Sequence, residues 1–95
     1  YAVEVPLKVM ETALKSMQMI QKMAEIGNPN SVTDAGVGAL CARTAVYGAY
    51  LNVKINLGDL KDKDYVERTL NKANGLLKDA NETEKVVLEI VDSKL

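Results

Sequence analysis

Two asparagines one helical turn apart, Asn52 and Asn56, are the side chains best suited to reading a polar ligand, because each carboxamide both donates and accepts hydrogen bonds. At 100° per residue they continue a narrow row that also holds Asp34, Gly38, Ala42, Ala45 and Ala49, small in the middle and polar at both ends. Small residues in such a row let another backbone, or a flat ligand, approach closely. Two readings of the asparagine pair are open. Buried, the carboxamides must bond to a facing backbone or a helix end, or cost about 1–3 kcal/mol each. Alternatively, they line a ligand cleft. Asp34 suits a first-turn acid near the helix dipole. The opposite side carries Gly36, Leu40, Arg43, Tyr47, Tyr50 and Lys54, where the two cations reach solvent or an ion pair, or meet an anionic ligand tail.

Other chemistries are excluded by composition. The 95-residue chain has no His, which removes His-based acid–base and triad catalysis within these residues. One cysteine, Cys41, cannot form an internal disulfide and with no imidazole does not make a transition-metal site, so no metal is expected. Cys41 reads as a small buried hydrophobe, and the cysteine usage fits a reducing cytoplasm. A net charge of −1 supplies no basic field, which argues against nucleic acid or an anionic membrane surface as partner.

Three helices must position these groups. Pro6 fits a first helical position, and from there to Glu25 the stripe Leu7, Met10, Leu14 and Met17, widened by Val9, Ala13, Ile20 and Met23, gives an amphipathic helix. Lys8, Glu11, Lys15, Gln18, Lys22 and Glu25 form its solvated side. Met10, Met17, Met19 and Met23 read as core and partner-contact residues. Gly27 is expected to end the helix in a left-handed conformation, and Asn28-Pro29-Asn30 to turn the chain. Ser31 with Asp34 has the spacing of a capping box, with Thr33 a rival cap, so the second helix is expected from about Val32 to Leu57, about 40 Å at ~1.5 Å per residue. A third helix begins near Asp62 and follows Val66, Leu70, Ala73, Leu77, Ala80, Val87 and Val91, interrupted by Glu84 and weakened at Gly75 and at Asn81 to Thr83. The fold class is therefore all-α, an up-and-down bundle of three main helices with short connections.

The middle helix sets a further condition. Between Ala35 and Val53 its only charge is Arg43. Arg43 at its centre, Asp34 and Lys54 at its ends and amphipathic neighbours argue against a membrane span and for burial within a helical protein. Two amphipathic helices cannot enclose it, so the bundle is expected to be part of a larger helical domain or dimer. The opening "YAVEVPL", without an initiator Met, points the same way.

The order of motifs adds a family likeness. "VPL" opening a helix, "GNPNSVTDAGVGAL" at the next turn and "GAYLNVKINLGDLKD" at the end of the second helix together resemble the formiminotransferase-cyclodeaminase family, specifically the carboxy-terminal half of its all-helical cyclodeaminase domain. The likeness runs from Val5 to about Leu77, and "NVKINL" at Asn52 to Leu57 is its most specific part. It implies that residues 1–95 are the carboxy-terminal portion of one such domain, acting in folate one-carbon metabolism. Formimidoyltetrahydrofolate cyclodeaminase and methenyltetrahydrofolate cyclohydrolase, a lyase and a hydrolase, are the activities implied, and this chain does not separate them. A tetrahydrofolate derivative would be the substrate. The partner would be a second copy in a homodimer or the missing amino-terminal half.

The likeness also implies a deficit, since the family's glycine-rich "GGGS"-type segment and the aspartate proposed as proton acceptor would lie upstream of Tyr1. The isolated 95 residues are accordingly expected to be inactive, with the catalytic acid and base unassigned. Asn52 and Asn56 become candidates for orienting the pterin or one-carbon group, with Asp34 a third. Arg43 or Lys54 would meet the carboxylates of a glutamate tail. A non-catalytic helical interaction or oligomerisation module is the competing function. It accounts for the burial pattern equally well, but not for "NPNSVTD" and "NVKINL" at this separation.

Overall fold

The computed structural model describes all residues 1–95 as three α-helices and no strands: α1 (Glu4–Ile26), α2 (Pro29–Leu57) and α3 (Lys63–Lys94). They form a rod of 51 × 16 × 15 Å in which each helix packs on both others. Pairings along the rod give the directions. Arg43 meets Glu84 while Tyr50 meets Asn74, so α2 and α3 are antiparallel; Glu11 meets Lys72 while the α1 carboxy-terminus meets Lys94, so α1 and α3 run together. No helix is long and apolar enough to cross a membrane.

The connections differ in detail from the sequence expectation. α2 starts three residues earlier than Val32, because Asn28 rather than Ser31 or Thr33 is its N-cap: the Asn28 carboxamide oxygen accepts from the backbone N–H of Asn30 at 3.0 Å and of Ser31 at 3.1 Å. Pro29 then occupies the first helical position, where its fixed φ suits the helix and its missing N–H is harmless. Gly27 is extended, φ −73° and ψ 153°, not left-handed. Its requirement is space, since a Cβ there would lie 2.9 Å from the Met23 carbonyl oxygen and 3.1 Å from the Ser31 hydroxyl. Pro6 is the third helical residue of α1, still within the turn whose N–H groups lack intrahelical acceptors. Asp62 caps α3, accepting from the Tyr65 N–H at 3.1 Å, and α3 continues through Gly75 and Asn81 to Thr83 without a break.

The core divides in two. One cluster centres on Met10, Leu14, Met17, Val46, Val53 and Ala73, the other on Ala24, Val32, Ala39, Val87 and Val91. Between them the Arg43 Nε donates to a Glu84 carboxylate oxygen at 2.8 Å, with both side chains largely covered. The interruption at Glu84 in the α3 pattern is thus the partner of the one charge in the middle of α2.

Helix α2 buries only one side. Val37, Leu40, Tyr47, Leu51 and Ile55 are exposed on its outward face. Cys41 is exposed among them, correcting the expectation of a buried thiol, because residue 41 points away from both neighbouring helices. Val9 and Met23 of α1 are also exposed, at 45% and 60%, since a bundle of three helices covers a narrower stripe of each than the sequence offers.

Candidate functional site

Where the small row of α2 meets the amino-terminal turn of α1, the two helices leave an open groove of about 440 Å³. Ala45, Ala49, Asn52 and Asn56 line one side; Ala2, Val5, Pro6 and Val9 line the other. The alanines keep the floor shallow, and Pro6 adds apolar bulk without an N–H that would need a partner. No lining residue is charged. The groove has apolar walls with a carboxamide pair toward one end, a combination that accepts a flat heterocycle and fixes its orientation by hydrogen bonds.

The two carboxamides are not equivalent. Asn56 is half-buried and its Nδ2 donates to the Asn52 carbonyl at 2.9 Å, which holds the side chain along the helix and leaves Oδ1 to accept. Asn52 is exposed at the groove mouth. The penalty of burying both amides therefore does not arise, and the backbone-bonding reading applies to one N–H of Asn56 only.

The other sequence candidates lie elsewhere. Asp34 borders a separate recess of about 230 Å³ with Ile20, Met23 and Ser31, and is 18 residues from Asn52, about 27 Å along the helix at ~1.5 Å per residue. Arg43 is engaged by Glu84 on α3. Lys54 faces α3, its ammonium 5.5 Å from the Tyr50 ring centroid, at a cleft formed with Leu57, Gly58, Val66 and Leu70. Tyr50 in turn donates from its hydroxyl to the Asn74 carboxamide oxygen at 2.6 Å. Of the five residues, only Asn52 and Asn56 share a groove. The opposite wall, supplied by Val5, Pro6 and Val9, is not among the sequence candidates for the site, although the four-residue step from Val5 to Val9 marks one side of a helix.

Comparison with known proteins bears on what such a groove serves. The family model described as Formiminotransferase-cyclodeaminase matches residues 1–75, the greater part of the chain. The chain belongs to the formiminotransferase-cyclodeaminase family. The match extends through the groove, both asparagines and the Asn28 cap. Among curated members of the family, the formimidoyltransferase-cyclodeaminase of Dictyostelium discoideum is 40% identical over 93 residues, 98% of this chain and 17% of that protein. The protein of that name from Rattus norvegicus is 37% identical over 93 residues, with the same coverage of 98% and 17%. The methenyltetrahydrofolate cyclohydrolase of Methylorubrum extorquens is 34% identical over 94 residues, 99% of this chain and 45% of that protein. The chain thus spans less than half the length of these relatives.

Proposed function

We propose that this chain is the carboxy-terminal portion of a helical folate domain and that its α1/α2 groove binds the pterin or one-carbon end of a tetrahydrofolate derivative. The observation that carries this reading is the placement of Asn52 and Asn56, from the family-like "NVKINL" segment, in one uncharged groove. Names of relatives support the substrate class: one is a cyclodeaminase, another a methenyltetrahydrofolate cyclohydrolase.

Either reaction is first a positioning problem. In the cyclodeaminase case the folate's secondary amine attacks the formimino carbon, the new C–N bond closes a ring, and the C–N bond to the former imino nitrogen breaks as ammonia departs after protonation. In the cyclohydrolase case water attacks the methenyl carbon and loses a proton, and one of that carbon's two C–N bonds breaks to open the ring, its nitrogen regaining a proton and a formyl group remaining on the other nitrogen. In both the one-carbon unit carries positive charge, as an amidinium or as a methenyl cation, and carboxamide oxygens aimed at it hold that charge in position without themselves transferring a proton. Asn56 Oδ1 and the Asn52 carboxamide have this role. The proton-transferring groups belong to segments outside this chain. Arg43 would contribute to a glutamate tail only by releasing Glu84; Lys54, held by a cation–π contact alone, is the freer of the two.

The protein acts in the cytoplasm, where the exposed Cys41 thiol stays reduced. Additional protein, a second copy or the rest of the domain, covers the outward face of α2; the exposed Leu51 and Ile55 support this.

The test is a titration of the full-length protein containing this chain with methenyltetrahydrofolate, followed by its ultraviolet absorbance. Asn52→Ala and Asn56→Ala are each expected to weaken binding about tenfold, the loss of one or two buried hydrogen bonds, with the melting temperature unchanged. Unaltered affinity and turnover in the double variant would remove the groove from the mechanism.

A further inference from the structure

The solvent side of α1 carries an ordered pattern that the fold does not use. Val5, Val9, Thr12, Ser16, Met19 and Met23 recur at alternating steps of four and three, and all six are exposed, Val5 at 73%, Met19 at 67% and Met23 at 60%. That is a heptad seam about 30 Å long at ~1.5 Å per residue, apolar at both ends and hydroxyl-bearing in the middle. Lys8, Lys15 and Lys22 precede Val9, Ser16 and Met23 by one residue each, so an exposed row of lysines at seven-residue spacing flanks the seam. The opposite flank, Ala13 and Ile20, turns toward α2 and the core clusters.

The lysine row has no ion-pair partner in the chain. Glu11, the acid between Lys8 and Lys15, directs its carboxylate to Lys72 on α3 at 2.9 Å. Flanking charges of this kind select the partner of a helical seam. A second copy of α1 is a poor choice. Antiparallel self-pairing sets the lysine rows against each other, and parallel pairing points them at the flank occupied by α2. In the methenyltetrahydrofolate cyclohydrolase relative, of which the match covers 45%, more than half of the chain is left to supply a further helix.

We propose that the outward seam of α1 docks one amphipathic helix of another segment of the domain, whose apolar stripe is flanked by Glu or Asp at seven-residue spacing. Because Val5 and Val9 belong both to this seam and to the Asn52/Asn56 groove, the docked helix also walls the open side of the groove. The inference rests on the packing and charge of α1, not on folate binding.

Two synthetic peptides of about four heptads test it, both with Leu at the seam positions, one with Glu and the other with Lys at the flanking positions. Like charges on both flanks keep each peptide from pairing with itself. Fluorescence anisotropy against the 95-residue chain at low salt is expected to give the Glu peptide at least about tenfold tighter binding than the Lys peptide, with the gap narrowing at high salt. The triple variant Lys8→Glu, Lys15→Glu, Lys22→Glu is expected to reverse the preference. Met19→Asp is expected to abolish binding of both peptides while its circular dichroism shows an intact fold, since Met19 is exposed. Equal binding of the two peptides, or binding of neither, overturns the proposal. So does self-association of the chain that Met19→Asp abolishes, which would make a second copy the occupant.

Discussion

The ammonium of Lys94 and the carbonyl oxygen of Gly27 lie 2.8 Å apart, and the same ammonium donates to the carbonyls of Ala24 at 2.7 Å and Glu25 at 2.6 Å. All three of its protons are thereby spent on the carboxy-terminus of α1. A helix end leaves several carbonyls without intrahelical donors, and a cation there also meets the negative end of the helix dipole. This clamp does the work expected of a left-handed Gly27, and it ties the last residues of α3 to the α1–α2 turn. Lys94→Met, which keeps the apolar stem, is expected to lower stability by about 1–2 kcal/mol in urea unfolding. Amide exchange should accelerate first between Gly27 and Ser31.

The Arg43–Glu84 pair calls for a cycle of variants. Glu84→Ala leaves a largely covered guanidinium without its acceptor and is expected to cost about 2 kcal/mol, below the 3–5 kcal/mol of a fully buried pair because Arg43 retains some solvent. Replacing both partners by Met joins the two core clusters and is expected to recover most of that loss. A double variant less stable than Glu84→Ala in chemical denaturation would refute this account.

Two glycines predict opposite signs. At Gly75, within α3, a Cβ meets nothing within 4 Å and the backbone is helical, so Gly75→Ala is expected to stabilise by about 0.5–1 kcal/mol. At Gly27 the same change drives a Cβ to 2.9 Å from a backbone oxygen and should destabilise. Thermal melts of the two variants side by side read both signs.

Glu11 supplies a pH dependence. Its carboxyl is held below the ordinary value of 4.5, first by the hydrogen bond from Lys72, which outweighs the opposing effect of desolvation, and further by the charges of Lys72, Lys8 and Lys15. A depressed carboxylate contributes stability that is fully present above its unfolded value and is lost as pH falls through its folded value. The difference in stability between the wild type and Glu11→Gln should therefore be constant near neutral pH and shrink below about pH 4.5. Its size is small, since both side chains of the pair are partly exposed. A difference that grows on acidification would contradict the assignment.

Local chemistry was legible in the chain itself. Three helices, a chain reversal directly after Gly27, the start of α3 after Asp62, the family and the shared row of Asn52 and Asn56 all follow from side-chain period, capping types and motif order, which act within a few residues, although Pro29 and Asn30, expected in the turn, are already helical. Even there a choice between neighbouring caps went to Asn28, because Pro29 after it is preorganised for the first turn. What the sequence could not decide was which face of each helix meets another. Cys41 and Val9 look like core residues by type yet are exposed, Glu84 looks like a break yet answers Arg43, and Lys94 closes α1 some 70 residues away in the chain. Only the tertiary arrangement separated Asp34, Arg43 and Lys54 from the asparagine groove. Helical period fixes the angle of a side chain about its own axis; the directions from which neighbours approach are fixed by packing among all three helices at once.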